Sequence, residues 1–234
     1  PETAIETRSA GSELRRLAII VAVFASLWAI PVIAVVQILG AQPFADVARL
    51  FTTAAFVTFG GAYAVLPYIA EAGVNTYSWL TPGEMINGLA LAETTPGPLI
   101  LVTTYVGYFG GWNGGAAGLS PAAAGLMAAL LTTYVTFLPS FMFIIAGAPY
   151  IERLQALVWA KSALEAITAA VVGVILNLTV FLAKAVLIPG GGAVDWTAVA
   201  AGAVAFALLA SGRISVPWLV VIGAAFGLAR VMVF

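Results

Sequence analysis

An acidic, proline-broken stretch inside an apolar run constrains the fold of this chain more than any other feature. Residues 92–98 read AETTPGP and separate two helical stretches, at residues 84–91 and 99–107. Proline has no N–H and disfavours helical geometry in the residue before it, so the helix breaks at Pro96 and Pro98. Unpaired backbone groups are unfavourable in hydrocarbon unless they line a polar cavity or are buried against protein. The stretch therefore predicts two half-helices that meet at a cavity.

A second break, TFGGAY at residues 58–63, interrupts the preceding apolar run between Phe44 and Ile69. Neighbouring discontinuous helices are the best sequence pointer to the substrate site of a secondary transporter. Adjacent glycines are also common where membrane helices pack closely. For Gly60 and Gly61, both readings stay open.

Composition places these breaks in a membrane. Of the 234 residues, 62% are hydrophobic and 8% are charged, against about 25% charged in soluble domains. We predict an all-α, polytopic transmembrane helical bundle with discontinuous helices. The chain has no cysteine and no histidine, which excludes thiol chemistry and imidazole ligands, and no nucleophile and base pair emerges. We expect no enzyme activity, metal, cofactor or nucleic-acid partner.

Apolar stretches and loop charges predict three parts: a polar cytoplasmic segment at residues 1–16, a linking transmembrane helix at residues 17–39, and a six-span unit at residues 44–234. Arg15 and Arg16 before the first span indicate a cytoplasmic amino terminus. Each broken run is predicted to cross the bilayer once, which puts residues 71–82 in the cytoplasm and gives seven crossings. The chain opens with Pro1, and we expect it to be part of a longer protein.

Helix-start signals occur at two positions. Thr81 and Pro82, followed by Glu84, predict a capped helix start, so we interpret Glu84 as a cap. Ser120 and Pro121 predict another helix start.

Four ordered blocks of sequence resemble the chromate ion transporter family: FVTFGGAYAVLPY at residues 56–68, AETTPGPL at 92–99, GAPYIERL at 147–154 and AITAAVVGVILNL at 166–178. The resemblance covers roughly residues 44–187 and is to the carboxyl-terminal half of the two-domain members. It implies one unit of an inverted-repeat transporter in the bacterial inner membrane. It also implies efflux of chromate, with sulfate as a similar oxyanion, driven by the proton gradient. A homologous amino-terminal half, or a second copy, would be the partner.

The predicted substrate site uses both breaks. Half-helix amino termini would present N–H groups and the positive end of the helix dipole to an anion, with threonine hydroxyls as further donors. The candidate substrate-binding residues are Thr58, Gly60, Gly61, Ala62, Thr94, Thr95, Gly97, Leu99 and Asn177. For Asn177, bonding to a neighbouring helix is the simpler role.

Glu93 is the candidate proton-coupling residue. A buried carboxyl group beside a bound anion favours its protonated form, so anion loading and protonation would be linked. Two alternatives give Glu93 a structural role: capping the amides freed beside Pro96 and Pro98, or pairing with Arg49.

Two functions remain open at this point. The first is a secondary transporter for a tetrahedral oxyanion. The second is an anion channel, or a structural membrane subunit in which the breaks only pack helices.

Overall fold

A computed structural model describes residues 10–40, 42–58, 62–95, 99–116, 118–151, 157–188 and 192–233. Throughout these ranges the chain forms helices and no strand, which confirms the predicted all-α membrane bundle. The α-helices are α1 (Ala10–Leu39), α2 (Phe44–Val57), α3 (Ala62–Glu71), α4 (Pro82–Thr94), α5 (Val102–Gly114), α6 (Pro121–Gly147), α7 (Val158–Leu187), α8 (Trp196–Ala210) and α9 (Val216–Val233).

Local chemistry places several helix ends where the sequence predicts them. The Thr81 hydroxyl accepts a hydrogen bond from the Glu84 N–H, and the Glu84 carboxylate accepts one from the Thr81 N–H at 2.7 Å, which completes a capping box. Ser120 caps α6 by accepting from the Ala123 N–H. The predicted cap role of Glu84 is confirmed.

Three helical segments in the described ranges are long and apolar enough to cross a membrane: Gly11–Leu39, Pro121–Tyr150 and Val158–Leu187. The helices α2 and α3 have 14 and 10 residues, which at 1.5 Å per residue gives lengths of about 21 and 15 Å. Neither helix alone spans a hydrocarbon core of about 30 Å. How these short helices are arranged therefore decides the topology.

The short helices form two hairpins. The first hairpin consists of α2 and α3, and the second hairpin consists of α4 and α5. The bases of both lie together. The Asn113 side-chain amide, near the end of α5, donates to the Trp79 carbonyl oxygen at 2.7 Å, just before α4. A Cβ atom added at Gly110 would lie 3.0 Å from the Trp79 ring and 3.2 Å from Val47 in α2. The start of α2, the α3–α4 connection and the end of α5 thus share one end of the bundle.

Tyr77, in the α3–α4 connection, supports this grouping. Burial, and then the Asp46 carboxylate near the start of α2, raise the pKa of its hydroxyl above the ordinary value, while Arg49 acts in the opposite direction. Its ring stacks on Trp79 with centroids 4.5 Å apart. The connection is therefore packed against the first turns of α2.

The tips of both hairpins point the other way. Thr58 after α2, Val65 in α3 and Thr103 in α5 line one cavity, together with residues of α6. Along the second hairpin, Gly88 of α4 lies against the Tyr105 ring of α5, as expected for two antiparallel helices. Each predicted break is thus a place where the chain reverses.

The prediction that each broken run crosses the bilayer once is therefore wrong. Because both hairpins return to the end from which they start, the α3–α4 connection lies on the opposite side from the amino-terminal end of α1. That end is beside the carboxyl end of α6, where the Arg16 guanidinium donates to the Ile145 carbonyl oxygen at 3.2 Å. The expectation that residues 71–82 lie on the same side of the membrane as the start of α1 is therefore wrong.

Close contact between α5 and α6 holds the second hairpin in the bundle. Gly107 and Gly111 of α5, four residues apart, face Thr132, Ala124 and Ala128 of α6. A Cβ atom at Gly107 would collide with the Thr132 hydroxyl, and one at Gly111 with the Ala124 backbone oxygen. Small residues at this spacing let membrane helices approach closely.

The remaining helices surround this pair. On one side α1 packs against α2 and α6, and its Trp28 indole donates to Thr52 at 2.8 Å. On the other side α7 packs against α3 and α4, and α8 packs against α7. The helix α1 begins at Ala10, so residues 10–16, predicted as part of a separate polar segment, continue the helix.

Cysteine labelling tests the hairpin topology. In this cysteine-free chain we expect Thr76→Cys and Ala193→Cys to react from the same side of the membrane, and Ser162→Cys from the opposite side. An impermeant thiol reagent applied to intact cells and to inverted vesicles makes the measurement. If Thr76→Cys reacted from the same side as Ser162→Cys, the hairpin topology would be wrong and each broken run would cross the membrane once.

Glycine substitution tests the α5–α6 contact. Gly111→Ala should destabilise the protein by about 1–3 kcal/mol, as overpacking does, since the new methyl group meets backbone. Gly173→Ala on α7 is the matched control, because nothing lies within 4 Å of its added Cβ atom. Thermal unfolding in detergent compares the two, and equal melting temperatures would contradict the packing described.

Candidate functional site

A cavity of about 360 Å³ lies where the two hairpin tips meet the middle of α6. Its size is at the small end of the range for ligand pockets. The described residues that line it are Ala54, Ala55, Thr58, Val65, Ile69, Ile100, Thr103, Thr136, Phe137 and Ser140. Four of them carry hydroxyl groups, and none is ionisable.

Two of these four hydroxyls have hydrogen-bond partners. Thr58 donates to the Ala54 carbonyl oxygen one turn earlier in α2. Thr103 is buried and donates to the Ile100 carbonyl oxygen at 2.7 Å. The Thr136 hydroxyl oxygen is buried with no hydrogen-bond partner within the described ranges. The cavity wall therefore holds a buried hydroxyl group that makes no hydrogen bond to the described residues.

Helix amino termini lie at both tips. The helix α3 begins at Ala62, and a short 3₁₀ segment, Leu99–Leu101, leads directly into α5. The first N–H groups of a helix have no partner inside the helix, and the dipole makes this end positive. With Val65 and Ile100 on the cavity wall, these two amino-terminal ends lie beside the cavity. Such an arrangement suits a small anion.

The last turn of α4 contains Glu93 and Thr94, directly before the second break. Thr95 follows, and its exposed hydroxyl donates to the Leu91 carbonyl oxygen at 2.6 Å. Arg49, the proposed structural partner of Glu93, lies in the second turn of α2, toward the hairpin bases. The tip position of Glu93 separates the two residues along the hairpins, which weighs against that pairing.

The other predicted site residues fall into two groups. Gly60, Gly61 and Gly97 lie outside the described residues. Asn177 lies on α7, where its side chain is exposed, and it does not line the cavity. The structure thus brings Thr58, Ala62 and Leu99 to one place and leaves Asn177 apart from them.

Sequence reasoning missed the part of the site that α6 and α5 supply. Thr103, Thr136 and Ser140 were not predicted as site residues. Threonines in helices usually bond back to their own carbonyl oxygens, as Thr133 does to Ala129 at 3.0 Å. The available signal was Pro139, which removes a helical hydrogen bond next to Thr136 and Ser140.

The chemistry of the cavity is that of a neutral, hydroxyl-rich pocket. In the described part of the chain, no group of three or more acidic, histidine or cysteine side chains could hold a metal ion. Hydroxyls and backbone N–H groups donate to an anion without a neutralising cation. The described lining residues therefore supply donors suited to reversible anion binding.

Comparison with known proteins agrees with these observations. The profile described as "Chromate transporter" matches residues 45–228. The "Chromate transport protein" of Pseudomonas aeruginosa is 34% identical over 71% of this chain and 37% of its own length. The "Chromate transport protein" of Cupriavidus metallidurans is 29% identical over 57% of this chain and 30% of its own length.

A shorter similarity is to the "Uncharacterized transporter YwrA" of Bacillus subtilis, which is 44% identical over 27% of this chain and 37% of its own length. The chain spans about a third of the length of the curated relatives that it matches. No solved structure matches it significantly. Because the family profile covers most of the sequence, this multi-pass membrane protein belongs to the chromate transporter family.

Proposed function

We propose that this chain takes part in the transport of a tetrahedral oxyanion, chromate or the similar sulfate, across the bacterial inner membrane. The observation that carries the proposal is the convergence of two hairpin tips, each followed by a helix amino terminus, on one neutral cavity. Names of the relatives support chromate as the substrate. The membrane would be the inner membrane, with the amino terminus in the cytoplasm.

The anion is held in the cavity by donors from both tips. From the first hairpin we assign Thr58 and Ala62, where α3 begins, together with Gly60 and Gly61, which lie outside the described residues. In the second hairpin the corresponding residues are Thr94, Thr95, Gly97 and Leu99. Glycine at a tip leaves room for the anion to approach backbone N–H groups.

Protons drive the transport through Glu93. Glu93 belongs to the last turn of α4, directly before the second break, and we assign its carboxyl group to the neighbourhood of the bound dianion. A charged carboxylate there would repel the dianion, so protonation and anion binding favour each other. Release of the proton on one side of the membrane then promotes release of the anion, so the proton and the anion move in the same direction.

Glu93→Gln tests this coupling. The amide keeps the shape of the side chain and imitates the protonated state permanently. We expect anion binding to persist with little pH dependence, while uptake driven by a pH gradient into proteoliposomes falls to background. Glu84→Gln, in the capping box at the opposite end of α4, is the control and should retain coupled transport.

The outcomes separate the competing functions. If Glu93→Gln still concentrates the anion against its gradient after a pH step, Glu93 is not the coupling site. Anion flux in the wild type that never follows the pH gradient indicates a channel. No flux with any oxyanion or partner indicates a structural subunit.

A partner completes the transporter. The helix α7 is 30 residues long, but only 6% of the residues in its apolar membrane-spanning stretch are buried. Asn177 exposes an amide on this helix, and such a group in hydrocarbon gains stability by hydrogen bonding to a neighbouring helix. We infer that this face meets a homologous half or a second copy of the chain. Asn177 then has a role in pairing in place of substrate binding.

Asn177→Leu tests the pairing role. It should shift the purified protein toward monomers. Loss of one interhelical hydrogen bond of about 1–2 kcal/mol raises the dissociation constant of the pair about tenfold. Val172→Leu, at another exposed position of α7, should leave association unchanged. Light scattering across a detergent dilution series measures both, and equal behaviour of the two variants would remove Asn177 from the interface.

A further inference from the structure

The α6 wall of the cavity carries a feature that the hairpin tips do not explain. Thr136 is only 7% exposed, and its hydroxyl oxygen has no hydrogen-bond partner among the described residues. A buried hydroxyl without a partner is unfavourable and calls for a reason. Neighbouring hydroxyls show the normal arrangement, since Thr133 and Thr103 each donate to a carbonyl oxygen of their own helix segment.

Thr132 is the second hydroxyl without a partner, and its surroundings differ. It is wedged against Gly107 in the α5–α6 contact, one turn before Thr136, and does not line the cavity. Thr136 does border the open space. Threonine in a helix has two accessible χ1 rotamers, so a second orientation is available to the Thr136 hydroxyl. The rotation breaks no existing hydrogen bond.

Ser140 extends the same wall. It lies four residues after Thr136, on the same face of α6, and also lines the cavity. Pro139, between them, has no N–H, so the carbonyl oxygen four residues before it loses its helical partner. The middle of α6 therefore lacks one helical hydrogen bond where it borders the cavity.

We propose that Thr136 of α6 supplies a hydroxyl donor to a tetrahedral oxyanion that binds in this cavity. The proposal rests on the proposed function and deepens it, because it gives α6 a direct part in a site that the hairpin tips alone would otherwise form.

The neutral wall sets the kind of ligand. No described lining residue is charged, so selectivity comes from the placement of donors around the anion. A tetrahedral oxyanion offers acceptor oxygens in four directions, which matches donors from the first tip, the second tip and α6. Halides, which have no directional acceptors, gain less from this arrangement.

Equilibrium binding of radiolabelled sulfate to the purified, monomeric chain in detergent tests the proposal. The wild type should bind about one sulfate per chain, and unlabelled chromate should compete. Thr136→Val, which keeps the shape and removes the hydroxyl, should weaken binding about tenfold or more, as expected for a lost hydrogen bond to a charged group. Thr136→Ser should bind within a few-fold of the wild type. Ser140→Ala should show a smaller loss than Thr136→Val.

Thr168→Val is the matched control. Its hydroxyl is exposed on α7 and donates to the Leu164 carbonyl oxygen at 2.8 Å, away from the cavity. Sulfate binding by this variant should equal that of the wild type. Without ligand, Thr136→Val should melt no lower than the wild type, because the substitution removes a buried unpaired group. Its thermal shift on adding sulfate should disappear.

Each result decides between the two proposals. Equal sulfate binding by Thr136→Val and the wild type overturns the role of Thr136. Equal rates of transport in proteoliposomes by Thr136→Val and the wild type likewise overturn the role of Thr136 and leave the proposed function intact. Binding without transport leaves the site standing and refutes transport by this chain alone, and absence of both refutes the two proposals together.

Discussion

Every backbone polar group inside a membrane must find a partner within the protein. Helices satisfy this requirement along their length, and their ends do not. This chain places four helix ends at the hairpin tips, next to the middle of α6. The arrangement of the whole bundle follows from the need to bury those ends or to give them a polar cavity. The unpaired N–H groups at the starts of α3 and of the segment before α5 are the donors that we propose for the site.

Close helix packing makes this possible. In hydrocarbon the hydrophobic effect does not drive helices together, so close packing and hydrogen bonds hold them. Gly107 and Gly111 let α5 approach α6 until backbone meets side chain. One turn nearer the tip, the Thr104 and Thr133 hydroxyls hydrogen-bond across the same pair at 2.9 Å. Because α5 is fixed to α6 in this way, its amino-terminal end is held at the level of Thr136.

The sequence predicts where the helices break and does not predict where the chain goes next. Prolines and glycines mark both breaks, and the start signals at Thr81 and Ser120 are correct. A break looks the same whether the chain continues or reverses. Residues 44–71 are also numerous enough to cross once. The reversal depends on contacts distant in sequence, such as Asn113 with Trp79, and no local pattern encodes those.

The GxxxG spacing of Gly107 and Gly111 is visible in the sequence and indicates the α5–α6 contact. The role inferred for Thr136 needs its missing partner, which only a structure reveals.

The central claim is that an oxyanion binds between the two hairpin tips and α6 of one chain. Anomalous diffraction from crystals soaked in molybdate, a heavy tetrahedral oxyanion, locates such a ligand directly. The account predicts one anomalous peak per chain within hydrogen-bonding distance of Thr58, Thr103 or Thr136. A peak at the hairpin bases, or on the boundary between two copies with the cavity empty, would contradict it.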